Sequence, residues 1–371
     1  MAKKCSYAHI SGVPQKRTSL SASISVVRPQ TRTKPAMLAK AGNAKKGSRR
    51  AWPQILPGGK AVLFTESSSP NHELDDIVVQ ALPDGSPKTV WPGGCQGKYL
   101  SSGHLVYVHE GKLFAAPFDL NRLEYTATPV PVIDGVQFNQ GWARISFSNN
   151  GTMVYQPADG DFTRIPISTI QWLDSSGKTL PIQAEPGRYS DLRCSPDGKR
   201  LAVRVLEGGT NGICIWDWER RIWTRLTQNI RWDRSPLWAP DGEHVVFRSD
   251  RDDDTSDIYW MRADGTGEAQ RIAEHPGTSF PTPGSFSPDG KQLAYSSRGS
   301  WASPGRDILI LNLDLSDPDH PKPGKPERFS EGEHPAFSPD GHWLAFEGSG
   351  LIRGIRGTGY AIPELPASVP R

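Results

Sequence analysis

The sequence predicts an all-β fold, a β-propeller of four-stranded antiparallel blades, and three observations predict it. A turn tetrapeptide recurs at near-constant spacing, the stretches between its copies read as short strands, and the chain carries 37 Gly and 33 Pro in 371 residues. Prolines and turn dipeptides interrupt almost every ten-residue window, which excludes a helical bundle. No apolar run approaches the roughly 18 residues a membrane helix needs, so no bilayer span is expected.

The tetrapeptide appears as Ser195-Pro196-Asp197-Gly198, Ala239-Pro240-Asp241-Gly242, Ser287-Pro288-Asp289-Gly290 and Ser338-Pro339-Asp340-Gly341. Each copy lies between an apolar or aromatic pair and a β-rich run, as in PLWAPDGEHVVFRS and GSFSPDGKQLAYSS. The chemistry suits a hairpin built on a type I turn: Pro sets φ at the first corner, Asp tolerates the second, and Gly takes the left-handed position. Degenerate copies occur upstream in QILPGGKAVLF, KYLSSGHLVYV and ISFSNNGTMVY. The turn glycines are then Gly59, Gly103, Gly151, Gly198, Gly242, Gly290 and Gly341, spaced by 44, 48, 47, 44, 48 and 51 residues.

Between hairpins lie two further strand candidates per repeat, clearest at Asp257 to Met261 and Ala269 to Ile272, with others at Asp76 to Leu82, Cys214 to Thr227 and Asp307 to Leu313. Four short strands in about 45 residues is the layout of a propeller blade. One such blade has two apolar faces and buries neither alone, so neighbours stack round an axis. The large residues Trp52, Trp142, Trp238, Trp343, Phe247, Tyr295 and Phe346 are expected to fill the wedges, and the 12 tryptophans are read as inter-blade core.

Seven repeats are counted, with a six-bladed ring as the alternative. The last is incomplete: HPAFSPDGHWLAFEG supplies two strands before a Gly- and Pro-containing tail. Closing the ring needs strands from elsewhere, and Ala22 to Val27 (ASISVV) is the donor the leader offers. Left open, the edge would aggregate or bind a partner's strand. The expected organisation is therefore a basic leader at 1–50, disordered or donating one strand, a propeller at 51–347, and an irregular tail at 348–371.

Charge divides the chain in the same way. Residues 1–65 hold 13 Lys and Arg and no acid, whereas 66–371 hold 30 bases against 40 acids, so the body stands near −10. The head has no aromatic interleaving beyond Tyr7, so nucleic acid is not an expected partner, and Lys45 to Arg50 reads as a solvated linker. The stretch after Lys3 and Lys4 lacks the apolar run of a secretory signal, which gives a cytoplasmic location as encoded. Cys5, Cys95, Cys194 and Cys214 lie far apart with no metal-site spacing and read as buried or incidental thiols.

SFSPDGKQLAYSS and DIYWMRADGTG resemble the repeats of the TolB-like propeller family, over roughly residues 52–347. More narrowly, His104 to Glu124 and Trp52 to Thr65 look like the C-terminal propeller region of bacterial serine/threonine protein kinases. The resemblance implies a protein-interaction or sensing module, placed in full-length relatives in the periplasm or at a membrane. The chain has no kinase domain and stops matching near Arg50 and Gly350, so it is expected to be a fragment or a frame-shifted remnant.

A Gly-rich loop with a strand lysine, H-R-D and D-F-G, as phosphoryl transfer requires, do not occur, nor does the G-x-S-x-G of a serine hydrolase. Serines such as Ser195 read as turn residues. Asp250, Asp252 and Asp254 alternate as in a calcium loop, but Thr255 stands where Gly is required and Met261 where Glu is required, so the segment reads as a solvated acidic loop. The nine histidines show no ligand spacing. No catalytic, cofactor-binding or metal-ligating residue is assigned, and no cofactor is expected. The expected function is a non-catalytic propeller that binds a protein or peptide at its rim or central channel. The alternatives are a detached regulatory half of a receptor-type kinase and the gating propeller of a prolyl-oligopeptidase-type peptidase.

Overall fold

The computed structural model describes residues 23–27, 49–67, 75–82, 85–139, 142–149, 152–158, 167–173, 179–181, 187–207, 210–227, 232–251, 256–274, 280–298 and 306–348. Every regular element among them is a β-strand. Antiparallel sheets follow one another along the chain, and their turns explain why. At Gly59, Gly103, Gly198, Gly242, Gly290 and Gly341 φ is between +66° and +82°, and each N–H bonds the carbonyl three residues back at 2.9–3.0 Å. Gly151 lies outside the described residues.

The fifth sheet shows the pattern. Its strands are Asp233–Trp238, His244–Ser249, Asp257–Arg262 and Gln270–Ala273, paired in chain order. On the second strand Val245 and Phe247 point into an apolar cluster with Ala202, Ile213 and Ile215 of the preceding sheet. Val246 points the other way, into a cluster with Phe286, Leu293 and Tyr295 of the following sheet. Side chains alternate across a strand, so a strand buried on both faces reads as a continuous apolar run.

The same arrangement holds around the molecule. Arg49–Ile55 begins a four-stranded first sheet, Cys95–Tyr99 the second, Ile145–Phe147 the third, Gly187–Cys194 the fourth and Thr282–Phe286 the sixth. A two-stranded ribbon, Phe138–Asn139 with Trp142–Ala143, lies between the second and third. The incomplete seventh repeat contributes Glu333–Phe337 and Leu344–Gly348, and Ser23–Val27 pairs antiparallel with the latter, Ser23 opposite Gly348. Trp343 and Ala345 of this last sheet share an apolar cluster with Ile55, Val62, Phe64 and Val78 of the first. The arrangement is a closed propeller.

The innermost strands also bond to one another round the axis. Gln54 Oε1 accepts the N–H of Tyr99 at 2.8 Å, Gln96 Oε1 that of Ala143 at 2.7 Å and Ser146 Oγ that of Cys194 at 3.1 Å. Asp191 Oδ2 accepts from Ser235 at 3.1 Å, Ser285 Oγ from Phe337 at 3.1 Å, and Glu347 Oε1 from Trp52 at 3.1 Å, which links last sheet to first. Several of these residues sit at register shifts where the inner strand bulges, with positive φ at Trp52, Gln96, Asp191, Ser235 and His334. A bulge bends the strand and re-aims its side chains.

Candidate functional site

The repeat turns gather at one end of the ring, and their serines are engaged in holding the turns. Ser195 Oγ donates to Asp197 Oδ1 at 2.5 Å and accepts the Arg200 N–H at 2.9 Å, while Asp197 Oδ1 accepts the Lys199 N–H at 3.0 Å. Ser287 with Asp289 and Ser338 with Asp340 repeat the pattern. Partial burial works against the Asp197 carboxylate, but the Ser195 hydroxyl and Lys199 N–H outweigh it and hold its pKa below the ordinary range. In the copy where Ala239 replaces the serine, His244 takes up the slack. Its Nδ1 lies 2.7 Å from Asp241 Oδ2 and its Nε2 2.9 Å from Asp319 Oδ1, with the ring stacked on Trp260.

The thiols are equally engaged. Cys95 is buried and donates to the Val108 carbonyl, and burial pushes its pKa far up. Burial pushes Cys194 up to about 12, against the Ser146 hydrogen bond. Neither is a thiolate near neutrality. Cys5, Asp252, Asp254 and Thr255 lie outside the described residues. Asp250 accepts a hydrogen bond from Ser256 and faces Arg234 Nη2 at 3.6 Å. Among the described residues no group of three or more His, Cys, Asp and Glu is placed to hold a metal ion.

The opposite end of the ring carries a cluster that sequence reading missed. Arg234 and Arg248 are cross-strand partners on the inner two strands of the fifth sheet, and Arg204 occupies the equivalent second-strand position of the fourth. The Arg234 guanidinium lies 4.6 Å from the Trp232 ring centroid and that of Arg204 5.7 Å from it, so both stack on one indole. Arg248 stacks on Phe280 at 5.2 Å. Trp232 is 48% exposed and Phe280 37% exposed, whereas Arg248 is only 7% exposed. The expectation that the tryptophans are inter-blade core holds for Trp238, Trp260 and Trp343 and fails at Trp232, which precedes the inner strand and is turned to solvent.

Opposite charges do not neutralise the cluster. Burial lowers the Arg248 pKa to about 10, and the nearby Arg234 and Arg204 add to that against the pull of Asp250 and Asp191. Arg234 and Arg144 are lowered too, first by burial, with Arg204 repelling both. Among the described residues four arginines face two carboxylates, an excess of two positive charges. The Nε atoms of Arg204, Arg234 and Arg248 are buried and make no hydrogen bond. A buried guanidinium donor left unpaired is costly in a structure. Arg204 Nη2 does bond Asn211 Oδ1 at 3.0 Å, which fixes its orientation.

The sequence held a signal for this cluster. Arg204 and Arg248 both stand six residues after a turn glycine, Gly198 and Gly242, where the other repeats have Thr65, His109, Pro157, Ser296 and Glu347. Alignment of the repeats by phase collects these positions at one end of the ring, although 44 residues separate the two arginines. A separate cavity of about 250 Å³ opens between the outer strands of the fourth and fifth sheets, beside Arg225, Thr227 and Gly265.

Comparison with known proteins places this fold. The family described as the TolB beta propeller domain matches residues 146–347. A Bacillus subtilis (strain 168) protein named as an uncharacterized peptidase, YuxL, is 26% identical over 42% of this chain and 29% of its own length, so the chain spans under a third of that relative. The solved oligogalacturonate lyase of Vibrio parahaemolyticus is 13% identical, with 89% of this chain and 97% of that one covered at a TM-score of 0.61. TolB from Acinetobacter baumannii is 17% identical over 78% of this chain and 64% of its own, at a TM-score of 0.47. Among the described residues no helix is long and apolar enough to cross a membrane. The family match covers more than half of the chain, and the chain belongs to the TolB beta propeller domain family.

Proposed function

We propose that this propeller is a non-catalytic binding module that receives a peptide segment of a partner protein at the mouth of its channel, on the face opposite the repeat turns. The observation that supports this most is the exposure of Trp232 and Phe280 beside stacked arginines on an otherwise acidic body. Aromatic and arginine side chains are the usual anchors of peptide recognition, because they bring large contact area with little conformational freedom to lose. The rigid ring holds them, and the loops between sheets are free to vary. The turn serines and buried thiols, occupied as described, argue in the same direction: they are structural groups without an activated nucleophile.

The test is retention of peptides from an end-capped synthetic random pool by the full chain. The wild-type ring is expected to enrich a subset, and Trp232→Ala, at an exposed position, to lose most of it. No enrichment over an albumin control would overturn the reading, as would hydrolysis or elimination of substrate by the purified chain alone. The match to part of a protein named as a peptidase favours a second reading, in which the mouth meters peptides for a separate hydrolase. That reading predicts that adding such a chain changes the length of peptide cleaved.

A further inference from the structure

We propose that Arg204, Arg234 and Arg248, walled by Trp232 and Phe280, form a subsite for two neighbouring carboxylates of an acidic peptide. This rests on the peptide-binding reading above and names the chemistry that the mouth selects.

Three features carry it. First, stacking on an aromatic face fixes a guanidinium plane and leaves its N–H edge available, the edge that matches a carboxylate in a fork. Both Arg204 and Arg234 are held this way on one indole, and Arg248 on Phe280. Secondly, the buried Nε donors of all three are unpartnered, with Arg248 more than nine-tenths buried. An arriving oxygen acceptor would satisfy donors for which the ring offers none. Thirdly, the charges match. Among the described residues Arg144, Arg204, Arg234 and Arg248 against Asp191 and Asp250 leave two positive charges, which two carboxylates neutralise.

The same count disfavours a nucleic acid. Affinity for a phosphate backbone grows with the number of phosphates neutralised, and a local excess of two inside a body near −10 neutralises few.

The experiment is calorimetric titration of the full chain with an end-capped peptide carrying two adjacent glutamates, with its glutamine counterpart, and with a short oligothymidylate. The glutamate peptide is expected to bind at least about tenfold tighter than the glutamine peptide, since a hydrogen bond to a charged partner accounts for a factor of that order. Arg248→Met is expected to lose at least about tenfold, and Lys291→Ala on the turn face to bind as wild type. Equal affinity for the two peptides would overturn the carboxylate assignment and leave the peptide-binding reading standing. Tighter binding of oligothymidylate would overturn the peptide as the source of the anion. Binding of neither peptide would overturn the subsite, and the pool experiment then judges the broader reading separately.

Discussion

Two sides of the same ring hold buried arginine differently, as a pair with a carboxylate on one side and as a cluster of like charges on the other. Where the last sheet meets the first, charges find partners inside the fold. Arg50, 1% exposed, donates from Nε to Glu66 at 3.0 Å and stacks on Phe64 at 5.0 Å, although its buried Nη1 makes no hydrogen bond. Glu347 accepts the Trp52 N–H, and His334 Nδ1 stands 3.1 Å from its carboxylate. Across the axis, in the fourth and fifth sheets, Arg204, Arg234 and Arg248 repel one another and keep unpaired donors. The same strand positions serve closure on one side and exposure of charge on the other. Clustered like charge costs stability, which supports the proposed reading of this face as the one that binds.

The comparison breaks first at Arg50. Arg50→Ala removes a buried guanidinium that Glu66 accepts from and that stacks on Phe64, and is expected to destabilise by about 2–4 kcal/mol in urea unfolding. A loss below about 1 kcal/mol would mean that closure does not depend on that pair. Arg248→Met tests the other side with the opposite sign. Removing a buried guanidinium that repels its neighbours, and filling its volume with an apolar chain, is expected to leave stability unchanged or raise it by about 1–2 kcal/mol. If Arg248→Met costs as much as Arg50→Ala, the two sides are alike and the argument for function at the arginine side fails.

His244 sharpens the contrast, because its charge sits on the turn face and is fully served. Burial opposes protonation, but the hydrogen bonds to Asp241 and Asp319 outweigh it and raise the pKa above 6.5. A raised folded pKa means that the contribution is fully present below about pH 6.5 and is lost as pH rises through the folded value. Asp241 is pushed up by burial and pulled lower by the His244 hydrogen bond, the net being a depressed pKa, and Asp319 is depressed chiefly by its His244 bond. Their contributions are present above the unfolded carboxylate range and lost as pH falls through the depressed values. The wild type is therefore expected to lose more stability than His244→Gln as pH rises from 6 to 8.5, measured by chemical denaturation at each pH. Equal losses would remove His244 from the account. Smallest is Gly242→Ala, where φ is +70° and the nearest atom lies 3.9 Å from the added Cβ. Backbone strain alone is expected to cost about 1 kcal/mol, and no binding change should follow.

The ring was legible because its signal is local and repeated. A Ser-Pro-Asp-Gly turn specifies its own geometry within six residues, and the strands beside it declare two buried faces by apolar runs such as Val245 to Phe247. The bonds round the axis were not legible, because Gln96 reaching Ala143, or Asp191 reaching Ser235, depends on a bulge that no residue type announces. The arginine mouth lay between these cases. Its residues sit in separate repeats and look like solvated strand ends singly, and only superposing the repeats by turn glycine assembles them. Trp232 misled because large aromatics among the described residues are mostly buried or half-buried, whereas it stands just before the inner strand and is exposed.

Amide hydrogen exchange of the full chain with and without the two-glutamate peptide locates the bound peptide on the ring. Protection confined to the Trp232–Ser235 and Arg248–Asp250 backbone, with none at the turns of Gly198, Gly242 and Gly290, is the predicted result. Protection concentrated at those turns, or spread evenly over all sheets, would place binding elsewhere and contradict the assignment of the arginine face.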